Sequence, residues 1–572
     1  MGVSGEPTAV AVDPDVGGAI VSATEAVTFG DGAAALAAIA RLEEAAGPRW
    51  VWWDGTTPRT LAAAGVRVTR AWDLDAVHRL RSGGWRAGPA RVWAAHRGLD
   101  AADVPRPGPP DLFSLADAAG TGDAVRRDGY LDPDWIDDGW RRDPDRLRRW
   151  AALALDVYEG QLAAITGQTD RPAALPNAHV ESAAEVLCAE LERDGLPIDV
   201  PTAEEIVFGF IGPRPADVAD EQRLAAERDE RVLAGLDTLG VSRDGIDLRN
   251  PASVRSLLRR AGIEVDDTRA WRLERMRDEH PIVDALLEWR KAERIATTFG
   301  YRWLDQHVRG GRLHGSWSAC DGAAGRMTAT AGLHNLPAEI RPAIMAEPGW
   351  RFVRADLGQI EPRILAAVSG DRALAAATAD DDLYLPVAGR LGVERDVAKV
   401  AVLGAMYGQT TGRGAQALQG LRTAYPTAIA FLDDAARAAE GGNDLVTRGG
   451  RRVRMSGRVD PDAPVDEREL RSRAAARGRY GRNAMIQGAA AEFFKTWSII
   501  VRARVAPLGG AIVLCLHDEL LVHVPEDHAD EAAAAVDAAL AETAHRWLAQ
   551  ADAPAVRFVA DTSVITRWSE AR

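Results

Sequence analysis

The chain has 572 residues, of which 47% are hydrophobic and 27% charged, with a net charge of −15. These values are typical of a soluble globular protein of about three or four domains, and no run of about 18 apolar residues suggests a membrane span. The first residues lack the basic and apolar regions of a signal peptide, so we expect a cytoplasmic protein. The isolated cysteines Cys188, Cys320 and Cys515 imply neither a disulfide framework nor a zinc site.

The chain up to about Gln168 alternates short apolar segments with alanine-rich ones, a pattern that predicts a small α/β unit. Its predicted strands are 9–12, 50–53 and 90–94. A proline-rich loop at 104–111 interrupts the unit, and a break at 167–176 ends it. Beyond Val180 the pattern is that of a mostly helical arm, with helices predicted at 181–194, 220–239, 251–261 and 281–297.

Strand patterns return after Gly311. Segment 350–356 is predicted as a strand ending at the carboxylate of Asp356, and a helix follows at about 359–368. Pro362 falls in the first turn of that helix, where a missing N–H costs little. Segment 511–524 predicts a β-hairpin whose polar tip presents His517, Asp518 and Glu519.

Lysine occurs only at Lys291, Lys399 and Lys495 in this arginine-rich chain. A retained lysine suggests a role that the guanidinium group cannot fill, such as a compact charge able to release a proton. On a helix, Lys399 shares a stripe with Arg395 and Tyr407, which lie four residues before it and eight residues after it. This stripe is either a solvated basic face or part of a functional site.

A second feature is the surplus of positive charge between Arg448 and Arg482, where eleven arginines face five acidic residues. Glycine is interspersed among these arginines, as in surfaces that follow a nucleic acid backbone. A solvated loop is the alternative. We favour nucleic acid, because affinity for phosphates depends on local charge and not on the net charge of the chain.

Asp356 at a strand end and Asp518 at a hairpin tip suggest phosphoryl transfer. Two divalent ions about 3.5 to 4 Å apart activate the attacking oxygen and stabilise the leaving oxygen, and such ions need carboxylates on rigid supports. The alternative for each residue is an ordinary turn aspartate.

Three segments carry a family resemblance. Asp356-Leu-Gly-Gln-Ile-Glu-Pro-Arg363 resembles motif A of the family A DNA polymerases, the bacterial DNA polymerase I (Klenow-like) type, whose actinobacterial members are often described as bifunctional 3′-5′ exonuclease/DNA polymerases. Arg395-x3-Lys399-x7-Tyr407-Gly408 is similar to motif B, and Leu516-His-Asp-Glu519 to motif C. Further matches lie at 250–254, 288–293, 325–330, 333–337 and 479–488, so the resemblance covers about residues 180 to 570.

The resemblance implies a role for each matched residue. Asp356, Asp518 and the main-chain carbonyl of Leu357 would bind two Mg²⁺ ions, with Glu519 as an accessory carboxylate. Lys399 and Arg395 would face the incoming triphosphate. Lys399 would in addition give a proton to the leaving pyrophosphate, which arginine does poorly because it is effectively never deprotonated. Glu361 would act as a steric gate against a ribose 2′-hydroxyl. The residues implied to contact the nucleotide are Arg395, Lys399, Leu403, Tyr407, Glu361 and Gln359, and those implied to contact primer-template DNA are Arg326, Asn483, Gln487, Arg479 and His517.

The sequence departs from the family pattern at four positions of the segments that resemble motifs A and B. Leu357 and Gly358 replace the usual tyrosine and serine, Pro362 replaces leucine, and Leu403 replaces an aromatic residue that packs against the nucleotide. We expect altered fidelity or tolerance of analogues, and not loss of chemistry, because the main metal-binding and triphosphate-binding residues are present.

The implied architecture is an α/β, RNase H-like exonuclease-like domain at 1–170, followed by a helix-rich α+β right-hand polymerase. The implied parts are a thumb at 175–310, a palm at 311–370 and 483–572, and fingers at 371–482. Asp54 fits one carboxylate position of the exonuclease. Asp13-Pro-Asp15 lies too close to Asp54 for the first motif, and Ala154 stands where the last ligand belongs. We therefore expect an inactive exonuclease-like domain, and no 5′ nuclease region before it.

Together these features predict a monomeric DNA-directed DNA polymerase, a nucleotidyltransferase that uses dNTPs, Mg²⁺ and primer-template DNA in replication or repair. The alternatives are a bifunctional enzyme with an active 3′-5′ exonuclease, an active nuclease with a supporting helical body, and a noncatalytic DNA-binding relic of a polymerase. The incomplete exonuclease carboxylates oppose the first two alternatives, whereas Asp356, Lys399 and Asp518 oppose the third. A single-subunit RNA polymerase is opposed by Glu361.

Overall fold

A computed structural model describes residues 5–84, 87–106, 122–168, 171–238, 240–278, 280–408, 414–455, 466–549 and 554–571. The chain forms two compact units. The first comprises Met1–Asp194, Ser316–Ala329 and Pro348–Ile565, and the second Gly195–Gly315, Thr330–Glu347 and Thr566–Arg572. Among the described helices, none is long and apolar enough to span a membrane.

A five-stranded sheet forms the amino-terminal part of the first unit. In spatial order its strands are Ala26–Phe29, Gly17–Val21, Pro7–Asp13, Arg49–Trp52 and Ala71–Asp73. The first three are antiparallel neighbours and the last three are parallel. Alternate residues of the central strand enter two cores, Ala9 and Ala11 on one face and Val10 and Val12 on the other. The sheet is therefore covered on both faces, as the apolar strand sequences favour.

Helices cover this sheet, and one of them corrects a predicted strand. Segment 90–94 is helical, because Pro89 occupies the first turn and Gly98, in the left-handed conformation, ends the helix. The predicted strands at 9–12 and 50–53 are confirmed, apart from one terminal residue. Of the predicted loop at 104–111, residues 107–111 lie outside the described part of the chain. The helices are Gly32–Ala46, Thr56–Ala63, Leu74–Ser82, Pro89–Arg97, Pro133–Ile136, Pro144–Thr166 and Ala174–Asp194.

The second unit is mostly helical, and the helices predicted at 220–239, 251–261 and 281–297 are confirmed to within about two residues at each end. The predicted helix 181–194 belongs to the first unit and begins earlier, at Ala174. The helices of the second unit are Val200–Ile211, Val218–Thr238, Pro251–Arg260, Ala270–Glu274, Pro281–Thr298 and Tyr301–His307. Asn250 shows how the sequence starts one of them: its side chain accepts a hydrogen bond from Ala252 N, and Pro251 follows at the first helical position. A small sheet joins Leu196–Pro197, Arg312–Leu313 and Val308–Arg309.

A four-stranded antiparallel sheet forms the centre of the remaining part of the first unit. Its spatial order is Ala511–Cys515, Glu519–Pro525, Trp350–Leu357 and Ala560–Ile565. The predicted strand at 350–356 and the helix after it, Ile360–Ser369, are confirmed. A separate ladder pairs Trp317–Asp321 with Arg326–Ala329, and a short one pairs Leu445–Val446 with Arg452–Val453.

The other helices of this part are Arg372–Ala377, Tyr384–Leu391, Arg395–Tyr407, Gly414–Ala424, Pro426–Glu440, Glu467–Val505 and Ala529–Leu548. Glu467–Val505 has 39 residues and continues without a break through position 483, where the sequence places the border between fingers and palm.

Two arginines of the segment 448–482 point into the protein. Arg451 is 2% exposed and forms an ion pair with Glu181 at 2.6 Å. Arg482 is buried, donates to Ala405 O at 3.0 Å and contacts Asp433. Part of the positive surplus is thus neutralised internally. Residues 456–465 of the segment lie outside the described part of the chain.

Candidate active site

Carboxylates from two neighbouring strands meet at one edge of the four-stranded sheet. Asp356 lies directly opposite Glu519 in the ladder between Trp350–Leu357 and Glu519–Pro525. The main-chain N–H of Leu357 donates to the carbonyl oxygen of Asp518 at 2.7 Å. The sheet therefore fixes Asp356 beside both Asp518 and Glu519. Glu519 is the first residue of its strand and 6% exposed, so it does not belong to the exposed hairpin tip that the sequence predicts.

The electrostatics of this edge favour a bound cation. Desolvation and then the charge of Asp518 raise the pKa of Asp356 to about 6. Desolvation and then Glu519 raise the pKa of Asp518. Like charges held together disfavour ionisation of both groups, and a cation between them relieves this cost.

Arg354 is a residue of this site that sequence reasoning missed. Its guanidinium group contacts three carboxylates, with Nε 2.9 Å from Glu519 Oε1, Nη2 2.7 Å from Asp356 Oδ2, and Nη1 3.0 Å from Asp561 Oδ2. Its side chain is only 9% exposed. The available signal was alternation along the strand, which puts Arg354 and Asp356 on the same face.

The oxygen donors present here suit a hard divalent cation such as Mg²⁺. Asp356 and Asp518 supply carboxylates, and Leu357 supplies a main-chain carbonyl next to them. Within the described ranges, no group of three or more His, Cys, Asp or Glu side chains has the arrangement of a metal site. A cation held by these few protein ligands leaves positions for water and substrate phosphates, as Mg²⁺ sites usually do.

A hydrogen-bonded cluster joins four of the predicted substrate-contacting residues. Arg326 Nη2 lies 2.7 Å from one oxygen of Glu361, and the hydroxyl of Tyr407 donates to the other oxygen at 3.1 Å. Gln487 also hydrogen-bonds the hydroxyl of Tyr407. The positive charge of Arg326 acts on the pKa of both Asp518 and His517, so the cluster lies close to the carboxylates. Glu361 is thereby held by partners from two other elements.

A third group of contacts positions Gln359 and Arg395. The side chain of Gln359 donates to Asp382 Oδ1 at 3.0 Å and accepts from Leu383 N at 2.8 Å. The other oxygen of Asp382 accepts from Arg395 Nε at 2.7 Å. Gln359 itself has a φ of 52°, an unusual value for a residue other than glycine. Asp382, which the sequence did not single out, therefore connects the segment after Asp356 with the start of the helix Arg395–Tyr407.

The helix Arg395–Tyr407 carries the remaining predicted nucleotide contacts. Lys399 is exposed and Leu403 is half-buried, one and two turns after Arg395. Within the described residues, Lys399 forms no ion pair and no hydrogen bond. The structure thus confirms the helical stripe but places no carboxylate against the ammonium group of Lys399.

The predicted DNA contacts lie on two other elements. Asn483 and Gln487 are half-buried and one turn apart on the long helix Glu467–Val505, and Arg479 is exposed one turn earlier. The side chain of Arg479 lies against Gly408, where a Cβ would come within 2.9 Å of Arg479 Cγ. His517 is exposed next to Asp518.

The carboxylates of the amino-terminal sheet are engaged in local structure. Asp13 accepts from the main-chain N–H groups of Asp15 and Val16, and Asp54 accepts from Thr56. Asp73 is fully buried and binds Trp52 Nε1 at 2.8 Å. Ala154 is buried in the core beside a stack of Trp53 and Trp150, whose ring centroids are 4.5 Å apart.

Comparison with known proteins shows which proteins this chain is similar to. The family model for DNA polymerase family A matches residues 259–570. The chain is 30% identical over 389 residues to the thermostable DNA polymerase I of Thermus filiformis, covering 61% of this chain and 44% of the relative. It is 32% identical over 377 residues to DNA polymerase I of Chloroflexus aurantiacus, covering 60% of this chain and 38% of the relative. The chain thus covers less than half the length of these relatives.

A solved structure shows the same fold. It is the POL domain of Pol1 from M. smegmatis, in complex with DNA primer-template and dNTP. The two structures superpose with a TM-score of 0.66 at 22% sequence identity, over 100% of this chain and 96% of the other. The likeness covers both units of the chain.

Proposed function

The chain belongs to DNA polymerase family A, and on this premise we propose that it is a DNA-templated DNA polymerase that adds dNTPs to a primer 3′ end. The observation that carries the proposal is the proximity of Asp356, near the end of one strand, to Asp518, in the turn before the adjacent strand. The main-chain hydrogen bond of 2.7 Å from Leu357 N to Asp518 O holds the two segments together, and the charge of Asp518 raises the pKa of Asp356. Two carboxylates held close together can position metal ions for phosphoryl transfer, a reaction that depends on positioning and charge stabilisation more than on covalent chemistry.

Asp356, Asp518 and the carbonyl of Leu357 would hold two Mg²⁺ ions. When bound, such ions polarise the phosphoryl oxygens and lower the pKa of the attacking hydroxyl. Arg354 holds Asp356 and Glu519 in place through its fork of N–H groups. Rigid carboxylates matter here because misplaced catalytic groups lose much of the rate enhancement that positioning supplies.

The stripe on the helix Arg395–Tyr407 would bind the triphosphate. Arg395 and Lys399 supply positive charge at this face, and Lys399 Nζ would donate a proton to the leaving pyrophosphate. An exposed ammonium group without a partner among the described residues is available for such contact.

Selection of the sugar would rest on Glu361. Arg326 and Tyr407 hold its two carboxylate oxygens, so its side chain is fixed and not free to swing away from a 2′-hydroxyl. We propose that this fixed carboxylate excludes ribonucleotides and that Gln487 and Arg326 contact the primer-template minor groove, where acceptors vary little among correct base pairs.

We propose further that the amino-terminal domain is exonuclease-like in architecture and inactive. The carboxyl-terminal ends of its three parallel strands share one edge, but Asp13, Asp54 and Asp73 each serve as turn, cap or core hydrogen-bond acceptors. Ala154 supplies no ligand. A site with this donor set binds metal weakly.

The test is extension of a primed DNA template with dNTPs or rNTPs in Mg²⁺. We expect extension by the wild type with dNTPs, and extension at background level by Asp518→Ala. Asp527→Ala removes an exposed aspartate outside the site and serves as the matched control, with unchanged extension. No extension by the wild type, or equal extension by Asp518→Ala, would refute the proposal and favour the noncatalytic DNA-binding alternative.

A further inference from the structure

A cavity of about 610 Å³ lies within the first unit, and none of the candidate active-site residues lines it. Its walls come from the beginnings of the strands Arg49–Trp52 and Ala71–Asp73, the first turns of the helix Ala174–Asp194 and the end of the helix Ala529–Leu548. This is the amino-terminal edge of the parallel strands. The cavity is therefore at the opposite edge of the sheet from Asp13 and Asp73, which end their strands.

Positive side chains dominate the polar part of the lining. Arg49, Arg70, Arg448 and Arg546 line the cavity, and no aspartate or glutamate is among its described lining residues. His179 also lines it, but burial lowers the pKa of its imidazole to about 4, so it adds no positive charge at pH 7. Four arginines without an interspersed acidic residue are unusual in a chain of net charge −15. The lining thus carries a local positive potential suited to an anion with more than one charge.

Two of these arginines are half-buried without a carboxylate partner. Arg49 Nη1 donates to the carbonyl oxygen of Ala71 at 3.5 Å, and Arg448 Nη2 donates to the carbonyl oxygen of Trp547. Neither forms an ion pair within the described part of the chain. Burial lowers the pKa of both guanidinium groups. A bound anion would offset this cost and use N–H groups that the protein leaves unpaired.

Most of the remaining lining is apolar, and it includes an aromatic ring. Leu175, Pro176, Ile499 and Trp547 contribute to it, and the guanidinium group of Arg448 lies 5.6 Å from the centre of the Trp547 ring. The volume falls in the range of about 300 to 1,000 Å³ that is usual for sites of small ligands. The site therefore combines a cationic part with a surface on which a planar ring can stack.

From this combination we propose that the cavity binds a free nucleoside phosphate, with its phosphates at Arg49, Arg70 and Arg546 and its base against Trp547. Arg70 and Arg546 lie at the exposed rim and Arg49 lies deeper, so the phosphates have a path from solvent. The guanidinium group of Arg546 pairs with Glu542 on the same helix. Arg546 would therefore exchange this carboxylate for a phosphate when the ligand binds.

Binding of ADP, measured by isothermal titration calorimetry in EDTA, tests the proposal. The protein used is the full chain carrying Arg395→Ala and Lys399→Ala, so that neither the proposed triphosphate contacts nor a divalent ion contributes. We expect one ADP per chain. We expect Arg49→Gln to weaken the affinity at least about tenfold, since a charge-assisted hydrogen bond is lost. Arg41→Gln is the matched control, because Arg41 is exposed on the helix Gly32–Ala46 outside the cavity, and we expect no change.

Two comparisons locate the base and the source of the ligand. Inorganic pyrophosphate lacks the base and should bind about tenfold more weakly than ADP, and Trp547→Leu should reduce this difference. A single-stranded oligonucleotide should displace ADP from the cavity less effectively than unlabelled ADP does, whether or not it binds at the proposed DNA contacts. Photolabelling with 8-azido-ADP should modify the segment 529–549, which also tests the site if Arg49→Gln fails to fold.

Four results would overturn the proposal. Three of them are the absence of saturable ADP binding up to about 1 mM, equal affinity of pyrophosphate and ADP, and displacement of ADP from the cavity by the oligonucleotide at lower concentration than by unlabelled ADP. An equal loss of affinity in Arg41→Gln and Arg49→Gln would do the same. None of these results depends on primer extension, so a failure here is distinct from a failure of the proposed polymerase activity.

Discussion

Three lysines stand out in the sequence, and the structure gives two of them contrasting surroundings. Lys399 is exposed on the helix Arg395–Tyr407, whereas Lys495 is 1% exposed and lies 2.5 Å from Glu181. The scarcity of lysine therefore does not by itself mark a catalytic residue. Only the location of Lys399, on the stripe shared with Arg395 and Tyr407, supports its proposed role.

Replacing Lys399 tests that role. We expect Lys399→Ala to reduce the rate of the chemical step by about 10² to 10⁴-fold, the usual contribution of a general acid. Lys399→Arg should restore dNTP affinity more than the rate, because arginine keeps the charge and gives up no proton. Single-turnover primer extension separates affinity from rate. Lys291→Ala, at a half-buried lysine that pairs with Glu288 on another helix, is the control, and equal rates in all three variants would contradict the assignment.

Arg354 is the residue that the structure adds to the site. Its guanidinium group is the only described cation that contacts both Asp356 and Glu519, and both Arg354 and Glu519 are largely buried. Removing one partner of a buried ion pair leaves an uncompensated charge, which costs more than the pair itself contributes.

We therefore expect Arg354→Ala to lower the free energy of unfolding by about 3 to 5 kcal/mol. The double variant Arg354→Ala/Glu519→Gln should recover part of this loss, since neither member of this ion pair then remains buried with its charge. Thermal or urea unfolding of the wild type, Arg354→Ala, Glu519→Gln and the double variant provides the measurement. Additive effects in the double variant would show that the two side chains do not depend on each other.

At the scale of elements, a buried carboxylate connects two long helices of the first unit. Glu181, on the helix Ala174–Asp194, lies 2.5 Å from Lys495 Nζ on the helix Glu467–Val505 and 2.6 Å from Arg451 Nη2. Burial alone raises the pKa of Glu181, but the two cations more than compensate, so its pKa lies below the ordinary value of 4.5. The ionised form therefore favours the folded state.

The lowered pKa of Glu181 determines how its contribution to the stability of the fold depends on pH. The contribution of Glu181 is complete above its ordinary pKa and is lost as the pH falls through the lowered pKa of the folded protein. We expect Glu181→Gln to destabilise the protein by about 3 to 5 kcal/mol at pH 7 and to lose less stability than the wild type on further acidification. Unfolding curves between pH 7 and acidic pH measure this. Glu205→Gln, at an exposed helix position, should follow the wild type, and a constant difference between Glu181→Gln and wild type would contradict the prediction.

Elements were predictable where the local sequence supplied both periodicity and end signals. The helix Pro251–Arg260 has its cap at Asn250 and its first-turn proline, and the helix Arg395–Tyr407 ends at Gly408 in the left-handed conformation. The strand predicted at 90–94 was wrong because an apolar run of this length is compatible with either a strand or a helix turn. The position of Glu519 was missed because the turn residues indicate a hairpin but do not fix which residue begins the second strand.

At the scale of the whole molecule, the amino-terminal domain distinguishes a polymerase from a bifunctional enzyme. We expect the wild type to leave a mismatched 3′ end intact in Mg²⁺, and Asp54→Ala to change nothing, because Asp13, Asp54 and Asp73 are engaged in local hydrogen bonds. A gel assay of 3′ degradation in the absence of dNTPs measures this. Robust degradation that Asp54→Ala abolishes would show that the domain is an active exonuclease.

The sequence by itself predicted the family, several of the strands and helices, and Asp356, Lys399 and Asp518 as candidate catalytic residues, because periodicity, caps and motif spacing are local properties of the chain. The tertiary structure decided which of these residues meet: Glu361 with Arg326 and Tyr407, and Asp356 with Arg354 and Glu519. It also turned Arg451 and Lys495 inward to a common carboxylate. Burial and charge pairing depend on contacts between segments far apart in the chain, and no local pattern specifies them.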